Sequence, residues 1–116
     1  MKRRTISLTH QAPVSINEEK WPVIAYGSDF SGKIKCQANE EWSVRVRRHA
    51  DGRAIVYAVR DSGPGGMPAG WHGARTGEIV PADADVADAI QRVGTEAEIP
   101  EHVIADCIQS LPAVEI

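Results

Sequence analysis

The chain has 116 residues, of which 42% are hydrophobic and 25% are charged, and its formal net charge at pH 7 is −3. This length is that of one ordinary domain, predicted here over residues 1–116, and the near-average composition excludes global disorder. Polar residues interrupt the basic N-terminus, and no apolar run approaches the roughly 18 residues of a membrane span, so we expect a cytoplasmic protein. In that reducing compartment Cys36 and Cys107 are predicted to be small apolar thiols and not a disulfide.

Short β-rich segments occupy the first third of the chain. They are residues 5–9, 14–16, 21–26 and 33–38. Apolar and polar side chains alternate in the first two, the other two are further β segments, and together they predict an antiparallel sheet. Pro13 and Pro22 are expected at strand ends or edges because proline lacks a backbone donor. The polar, glycine-containing residues 27–32 are predicted to separate two of the strands.

A β-hairpin is predicted between residues 42 and 60. Two β-rich runs are joined there by Asp51-Gly52, which suits a two-residue type I′ loop because both central residues need positive φ. If Ala50 pairs with Arg53, the register of the whole hairpin follows from that pair. The expected pairs are Val46 with Tyr57, Val44 with Val59 and Arg48 with Ile55, which make one side of the hairpin largely apolar as far as Trp42.

The opposite side of this hairpin is the main candidate binding surface. It is expected to carry Arg45 and Arg47 beside Arg60, with Arg53 and His49 toward the tip. Guanidinium groups bind phosphates and carboxylates bidentately, so the surface suits an acidic protein or a nucleic acid. A third interpretation is a solvated strand face that keeps the sheet from aggregating. The pI of about 5.8 weighs against dedicated nucleic-acid binding, because such domains are usually basic.

Residues 61–70 are dense in glycine and proline and predict a mobile loop after the hairpin. The loop has neither Gly-x-Gly-x-x-Gly nor Gly-Lys-Ser/Thr spacing, and its prolines remove amide donors, so it does not predict a phosphate site. Trp71 and His72 beside the loop are predicted to form an exposed contact patch. A short strand over residues 77–80 is predicted to return to the sheet.

Two amphipathic helices are predicted within residues 83–111. Asp83 or Asp85 is expected to cap the first helix and Gly94 to end it. Pro100 is expected in the first turn of the second helix, where proline is favoured. The apolar positions predicted to cover one face of the sheet are Val86, Ile90 and Val93 in the first helix, and Val103, Ile104, Cys107, Ile108 and Leu111 in the second.

Charge divides unevenly along this predicted α+β fold, an antiparallel sheet over residues 1–80 followed by two short helices. Residues 1–77 hold 12 Lys/Arg and 7 Asp/Glu, a balance of +5, whereas residues 78–116 hold 1 and 9, a balance of −8. Such a split either steers charged partners or reflects attraction between the sheet and a solvated acidic helix face.

The histidines and cysteines do not follow a catalytic or metal-binding pattern. His102 and Cys107 would point about 140° apart around their helix, which excludes a shared metal. His102 and Asp106 are four apart and are expected to pair on the helix surface. His49 and Asp51 lie at the hairpin tip, where a turn favours Asp. We therefore predict no enzyme and no bound cofactor or metal.

The local strings at residues 19–25, 36–39 and 46–57 give the chain its resemblance to known proteins. It resembles small uncharacterised proteins carried by bacteriophages and plasmids. This resemblance implies an accessory protein that binds host factors, including defence complexes, and it assigns no functional residues. We predict a non-enzymatic binding protein of a mobile genetic element that acts stoichiometrically on a host macromolecule. The alternatives are a nucleic-acid-binding accessory protein and a homodimer formed through an exposed strand edge.

Overall fold

The computed structural model describes residues 2–9, 11–31, 38–64 and 72–112. Six strands and two helices lie within these ranges. The strands are β1 (Arg3–Leu8), β2 (Gln11–Asn17), β3 (Val23–Ser31), β4 (Ala38–Arg48), β5 (Ala54–Pro64) and β6 (His72–Val80), and the helices are α1 (Val86–Glu96) and α2 (Glu101–Gln109). This order confirms the predicted α+β class with two helices after the strands.

The strands form two antiparallel sheets, where a single sheet was expected. β3, β4, β5 and β6 pair in that order as a four-stranded meander. β1 and β2 form a separate two-stranded sheet, called the β1–β2 ribbon below. The helices cover one face of the meander, and the ribbon covers part of the other. The amide of Thr9 donates to the carbonyl of Gly77 at 2.9 Å, which fixes the ribbon against β6.

The main core lies between the meander and the helices. Val44, Val46 and Val56 from the sheet, and Ile90 and Val103 from the helices, are each 0% exposed. Complete burial of one such side chain contributes roughly 1.5–3 kcal/mol, so this layer is the principal source of stability. The helix positions predicted for this core are confirmed, with Val86, Ile90, Val93, Val103, Ile104 and Cys107 buried and with Ile108 and Leu111 packed against them.

Helix α1 begins at the predicted cap but ends differently from the prediction. The Asp85 carboxylate accepts a hydrogen bond from the backbone amide two residues on, at 2.9 Å. Gly94 lies inside the helix, and a Cβ there would be 2.6 Å from Ile104, so this glycine serves the packing of α1 on α2. The chain leaves the helix through Glu98, whose φ is 58°. The amide of Ile99 then donates to the carbonyl of Gly94 at 2.9 Å, which completes a Schellman arrangement.

Strand β3 continues through the residues that were predicted to separate two strands. The reason is the packing of α2 on Gly27, because a Cβ there would lie 2.9 Å from the amide nitrogen of Cys107 and closer still to the carbonyl oxygen of Val103. The glycine therefore permits a close backbone approach and does not form a turn. At the outer edge of β3, Ser110 Oγ accepts a hydrogen bond from the amide of Tyr26 at 2.9 Å and lies 3.2 Å from its carbonyl oxygen.

The β4–β5 connection is one residue longer than predicted. The amide of His49 donates to the carbonyl of Arg53, and the amide of Gly52 donates to the carbonyl of His49, each at 2.9 Å. The loop therefore has three residues, from Ala50 to Gly52, of which Gly52 alone has positive φ, at 97°. The side chain of Asp51 accepts the amide of Arg53 at 3.0 Å, which favours this turn. The predicted two-residue type I′ loop is wrong.

The longer loop shifts the register by one residue and exchanges the faces of β5. Arg45 pairs with Tyr57 and Trp42 pairs with Arg60, so Tyr57 lies on the ribbon side of the meander and Arg60 lies on the helix side. Because side chains alternate along a strand, a slip of one residue moves every side chain to the other face. The predicted pairs are wrong, since Val46, Val44 and Arg48 pair with Val56, Ala58 and Ala54.

Several other predicted segments differ in extent from the structure. The strand predicted over 33–38 lies outside the described residues except for Ala38, which begins β4. The predicted loop over 61–70 continues as β5 to Pro64, and its remainder lies outside the described residues. The strand predicted over 77–80 is confirmed within the longer β6. In the part of the chain that the structure describes, neither helix is long and apolar enough to cross a membrane.

Candidate functional site

The face of the meander opposite the helices has a covered half and an open half. The β1–β2 ribbon and Trp21 cover Ile55 and Tyr57, which are 1% and 8% exposed. Beyond the ribbon the sheet presents Tyr26, at 44% exposure, beside a half-buried Arg45. The two halves place the predicted binding residues in different environments.

Arg47 lies in the covered half and is 6% exposed, so its predicted projection into solvent is wrong. Its Nε donates to the hydroxyl of Tyr57 at 2.9 Å, and its Nη1 donates to the carbonyl of Trp21 at 3.0 Å. The Oε1 atom of Glu18 lies 3.7 Å from its Nη2 and also pairs with Arg4. Burial of a guanidinium is tolerated only with such partners, and Arg47 thereby ties the ribbon to the meander.

The open half is named the tyrosine–arginine face. It consists of two neighbouring rows of residues. Within each row the residues are directly opposite one another on adjacent strands, so their side chains point to the same side of the sheet. Its members are Tyr26 and Arg45 in one row, and Ser28, Ser43, Val59 and Arg75 in the next. All six are exposed or half-buried, and two are cationic. Glu41 follows in the third row, where it limits the positive area.

The guanidinium of Arg45 lies over the ring of Tyr26, with Cζ 4.9 Å from the ring centroid. The side-chain hydrogen bond with Ser28 lowers the pKa of the Tyr26 phenol, and the Arg45 guanidinium lowers it further. A cation over an exposed ring contributes about 0.5–1 kcal/mol, which favours this orientation of Arg45 roughly two- to fivefold. Among the described residues no carboxylate lies within ion-pair distance of Arg45. Its charge is therefore available to an external anion.

A cleft of about 230 Å³ separates the tyrosine–arginine face from β1. Arg4 and Ser7 line it on the ribbon side, and Val59 and Arg75 line it on the sheet side. The ribbon can approach the meander closely because Gly77 has no side chain. A Cβ there would lie only 2.5 Å from the carbonyl oxygen of Ser7. Arg4 therefore lies across the cleft from the tyrosine–arginine face. The volume of the cleft is below the roughly 300–1,000 Å³ of small-molecule pockets.

Arg60 lies on the opposite side of the meander from Arg45, contrary to the prediction. Its Nη1 donates to the carboxylate of Glu98, the left-handed residue that follows α1. This pair joins the basic first part of the chain to the acidic second part. At this point the opposite charges of the two parts attract the sheet and the helices to each other. Arg60 is not part of the tyrosine–arginine face.

Arg53 and His49 surround Trp21 at the hairpin tip. The Cζ atom of Arg53 lies 5.4 Å from the centroid of the Trp21 ring, and its Nε donates to Asp51 at 2.8 Å. The His49 ring lies 4.9 Å from that of Trp21, and its Nδ1 accepts the amide of Asp51 at 3.1 Å. Hydrogen bonds from the backbone and side chain of Arg53 hold the pKa of Asp51 below its usual value. Both tip residues therefore stabilise the loop.

The contact patch predicted at Trp71 and His72 is not among the described side chains. Trp71 lies outside the described residues, and His72 contributes only its backbone, as the first residue of β6.

Sequence reasoning missed Tyr26, Ser28 and Arg75 as neighbours of Arg45. Each lies in a β-rich segment, but their proximity depends on strand pairings that the sequence does not specify.

His102 and Cys107 of α2 have structural contacts. His102 pairs through Nε2 with Asp29 of β3, and not with Asp106 as predicted. Cys107 is 0% exposed, and burial raises the pKa of its thiol to about 11, which makes it unreactive at neutral pH. Within the described ranges, no three side chains of His, Cys, Asp or Glu are grouped as metal ligands.

Arg45 over Tyr26, bordered by Arg75 and the cleft, is the best-defined exposed cationic site among the described residues. No protein-family model, curated protein or solved structure matches this chain.

Proposed function

We propose that this protein binds a host macromolecule stoichiometrically, without catalysis, through the tyrosine–arginine face. The observation that carries the proposal is the guanidinium of Arg45, held over the exposed ring of Tyr26 with no carboxylate partner among the described residues. Arginine and tyrosine are enriched among the residues that contribute most to protein interfaces. The resemblance to small phage and plasmid proteins supports an accessory protein of a mobile element, acting in the cytosol of its host.

An acidic protein surface is the partner that this face fits best. Arg45, which has no carboxylate partner among the described residues, offers a guanidinium group that pairs bidentately with a carboxylate, and Arg75 and Arg4 add positive charge around it. Tyr26 and Val59 add apolar contact area beside those charges. The formal net charge of −3 opposes unspecific attraction to nucleic acids, while the local positive area steers an acidic partner to this side of the molecule.

A nucleic acid is the second candidate, and the exposed ring of Tyr26 is the observation that favours it. Proteins that bind single strands stack bases on aromatic rings and neutralise phosphates with arginines, both of which the tyrosine–arginine face provides. Binding of this kind weakens steeply between low and moderate salt because counterions are released from the phosphates. Salt dependence therefore separates the two candidates.

The test is affinity capture with the tagged protein from a bacterial host lysate, with and without nuclease, followed by mass spectrometry. The wild type is compared with Arg45→Glu, which reverses the charge over Tyr26. Arg3→Glu is the matched control, because it makes the same charge change at an exposed residue of β1. We expect a nuclease-resistant protein partner with the wild type and the control, and its loss with Arg45→Glu. Arg47→Glu is unsuitable because it would bury an unpaired charge.

Nuclease-sensitive recovery of nucleic acid that is lost with Arg45→Glu would replace the acidic protein by a nucleic acid as the partner. Equal capture by all three proteins would show that the tyrosine–arginine face is not the binding surface. With a purified partner, titration calorimetry measures the stoichiometry, and we expect Arg45→Glu to raise Kd at least about tenfold.

A further inference from the structure

Two adjoining clefts run from the hairpin tip to the beginning of α1. One has a volume of about 740 Å³ and the other about 430 Å³. Ile24 and Arg48 line both clefts, so the two clefts adjoin at these residues, and together they are named the Arg48 groove. None of its lining residues belongs to the tyrosine–arginine face. It is a separate candidate site.

Apolar side chains form most of the wall of the Arg48 groove. Ile24 lies at the junction of the two clefts, Val86 and Leu111 line the end near α1, and Pro22 lines the end near the hairpin tip. Ile24 and Leu111 also pack against the main core, which fixes this wall in place. The amide of Arg48 donates to the carbonyl of Pro22 at 3.1 Å, so the end of β4 is held beside the groove. The groove is therefore a preformed apolar surface.

Arg48 is the cation at the junction of the two clefts. It is half-buried, and among the described residues its side chain has no hydrogen-bond or ion-pair partner. Arg47, Arg53, Arg60 and Arg92, by contrast, each lie within ion-pair distance of a carboxylate. Because no described side chain pairs with its guanidinium, Arg48 can bind an external anion with charge-assisted hydrogen bonds.

Neither acidic residue that lines the groove forms an ion pair with Arg48. The Asp85 carboxylate is engaged as the cap of α1, where it accepts a backbone amide at 2.9 Å. Glu19 lines only the larger cleft, together with Lys20, which adds a second cation at that end. The groove thus combines an apolar wall with a guanidinium at its junction, while Lys20 and Glu19 lie together at its tip end.

We propose that the Arg48 groove binds an acidic, aliphatic peptide segment of another protein. A carboxylate of the segment pairs with Arg48, and aliphatic side chains on either side of it contact Ile24, Val86 and Leu111. Each of the two clefts is within the roughly 300–1,000 Å³ of small-molecule pockets, and the two lie side by side, which suits an extended segment of several residues. Pairing with the guanidinium of Arg48 favours a segment that carries a carboxylate over a segment that carries none.

The experiment is selection from a phage-displayed library of random 12-residue peptides on the immobilised protein. The enriched peptide is then synthesised, and its Kd is measured by fluorescence anisotropy. We expect enriched peptides with Asp or Glu flanked by Leu, Ile, Val or Phe. Arg48→Gln should raise Kd roughly tenfold, the loss of one charge-assisted pair. Ala84→Trp fills the groove at an exposed position and should also weaken binding, while Arg3→Glu should leave Kd unchanged.

Arg48→Gln keeps a polar side chain of similar length, and a thermal melt of each variant verifies folding. The proposal is overturned if no peptide is enriched over the blank matrix, if the enriched peptides are basic, or if they bind Arg48→Gln as tightly as the wild type. Loss of binding in Arg45→Glu alone would also overturn it and would move the peptide to the tyrosine–arginine face. Binding of a labelled 20-nucleotide oligothymidine that is lost in Arg48→Gln would overturn it in favour of nucleic acid.

Discussion

On the helix side of the meander, Val44, Val46 and Val56 are fully buried beneath α1 and α2, whereas on the ribbon side the buried layer includes the guanidinium of Arg47 and the hydroxyl of Tyr57. The helix side is apolar, and Gly27 is required there because the backbone of α2 meets that of β3. The ribbon side has a smaller apolar cluster, and hydrogen bonds of Arg47 hold the ribbon over it. The helix side should therefore be sensitive to added atoms, as the ribbon side is at Gly77, whereas sensitivity to lost hydrogen-bond donors should be specific to the ribbon side.

The largest effect is expected from Gly27→Ala on the helix side. The new methyl group would collide with the backbone of α2 at Val103 and Cys107, which cannot rotate aside as a side chain does. We expect the free energy of unfolding, measured in urea, to fall by about 3 kcal/mol or more, the upper end for overpacking. Ser28→Ala, at the next residue and on the exposed side, should change it by less than about 0.5 kcal/mol. Similar losses for the two variants would contradict the close approach.

On the ribbon side, Arg47→Ala should destabilise the protein by about 2–3 kcal/mol. The substitution leaves the hydroxyl of Tyr57 and the carbonyl of Trp21 without their donor in a buried layer. Arg45→Ala is the matched control, two residues away on the same strand and the same side, and should cost only about 0.5–1 kcal/mol. Urea unfolding followed by tryptophan fluorescence measures both. If Arg45→Ala proved the more harmful, Arg47 would not hold the ribbon.

A smaller effect is expected at the edge of β3, where Ser110→Ala removes the hydroxyl that bonds the amide of Tyr26. We expect a loss of about 1 kcal/mol, as for one ordinary hydrogen bond, together with faster hydrogen exchange of the Tyr26 amide. Ser15→Ala, at an exposed position of β2, should leave that exchange rate unchanged. An unaltered Tyr26 rate in Ser110→Ala would show that α2 does not close the edge.

The smallest effect concerns acid stability on the ribbon side. The hydrogen bond from Arg4 holds the pKa of the Glu18 carboxyl below its ordinary value. Because the folded pKa is the lower one, the stabilisation is complete above the unfolded pKa of about 4.3 and is lost as pH falls through the folded pKa. Glu18→Gln should therefore flatten the decline of the thermal midpoint below about pH 4.5, and Arg4→Met should do the same. A decline parallel to that of the wild type in both variants would exclude this contribution.

Local patterns were sufficient to predict the fold class and the helix positions. The spacing of Val86, Ile90 and Val93 marks one face of a helix in any globular context, and Asp85 forms its cap through contacts that span only two residues. The main core could be predicted to this extent because its helical half depends on periodicity alone.

The candidate site could be predicted only in part, because it depends on long-range pairing. Asp51 bonds the amide of Arg53 and so favours a three-residue loop, and this one extra residue moved Arg60 away from Arg45. Gly27 lies in a polar run typical of a loop, and its actual role is set by a helix near the other end of the chain. The burial of Arg47 depends on the β1–β2 ribbon, whose separation from the meander has no local sequence signal.

Cys107 lies beside Gly27 where α2 meets β3, and its thiol is fully buried with a pKa of about 11. An alkylating reagent can therefore react with this thiol only after α2 has moved away from the sheet. In a Cys36→Ser variant, the rate at which Cys107 is alkylated under native conditions reports how often α2 moves away from the sheet. The alkylation rate therefore measures how often the main core opens locally in the absence of denaturant.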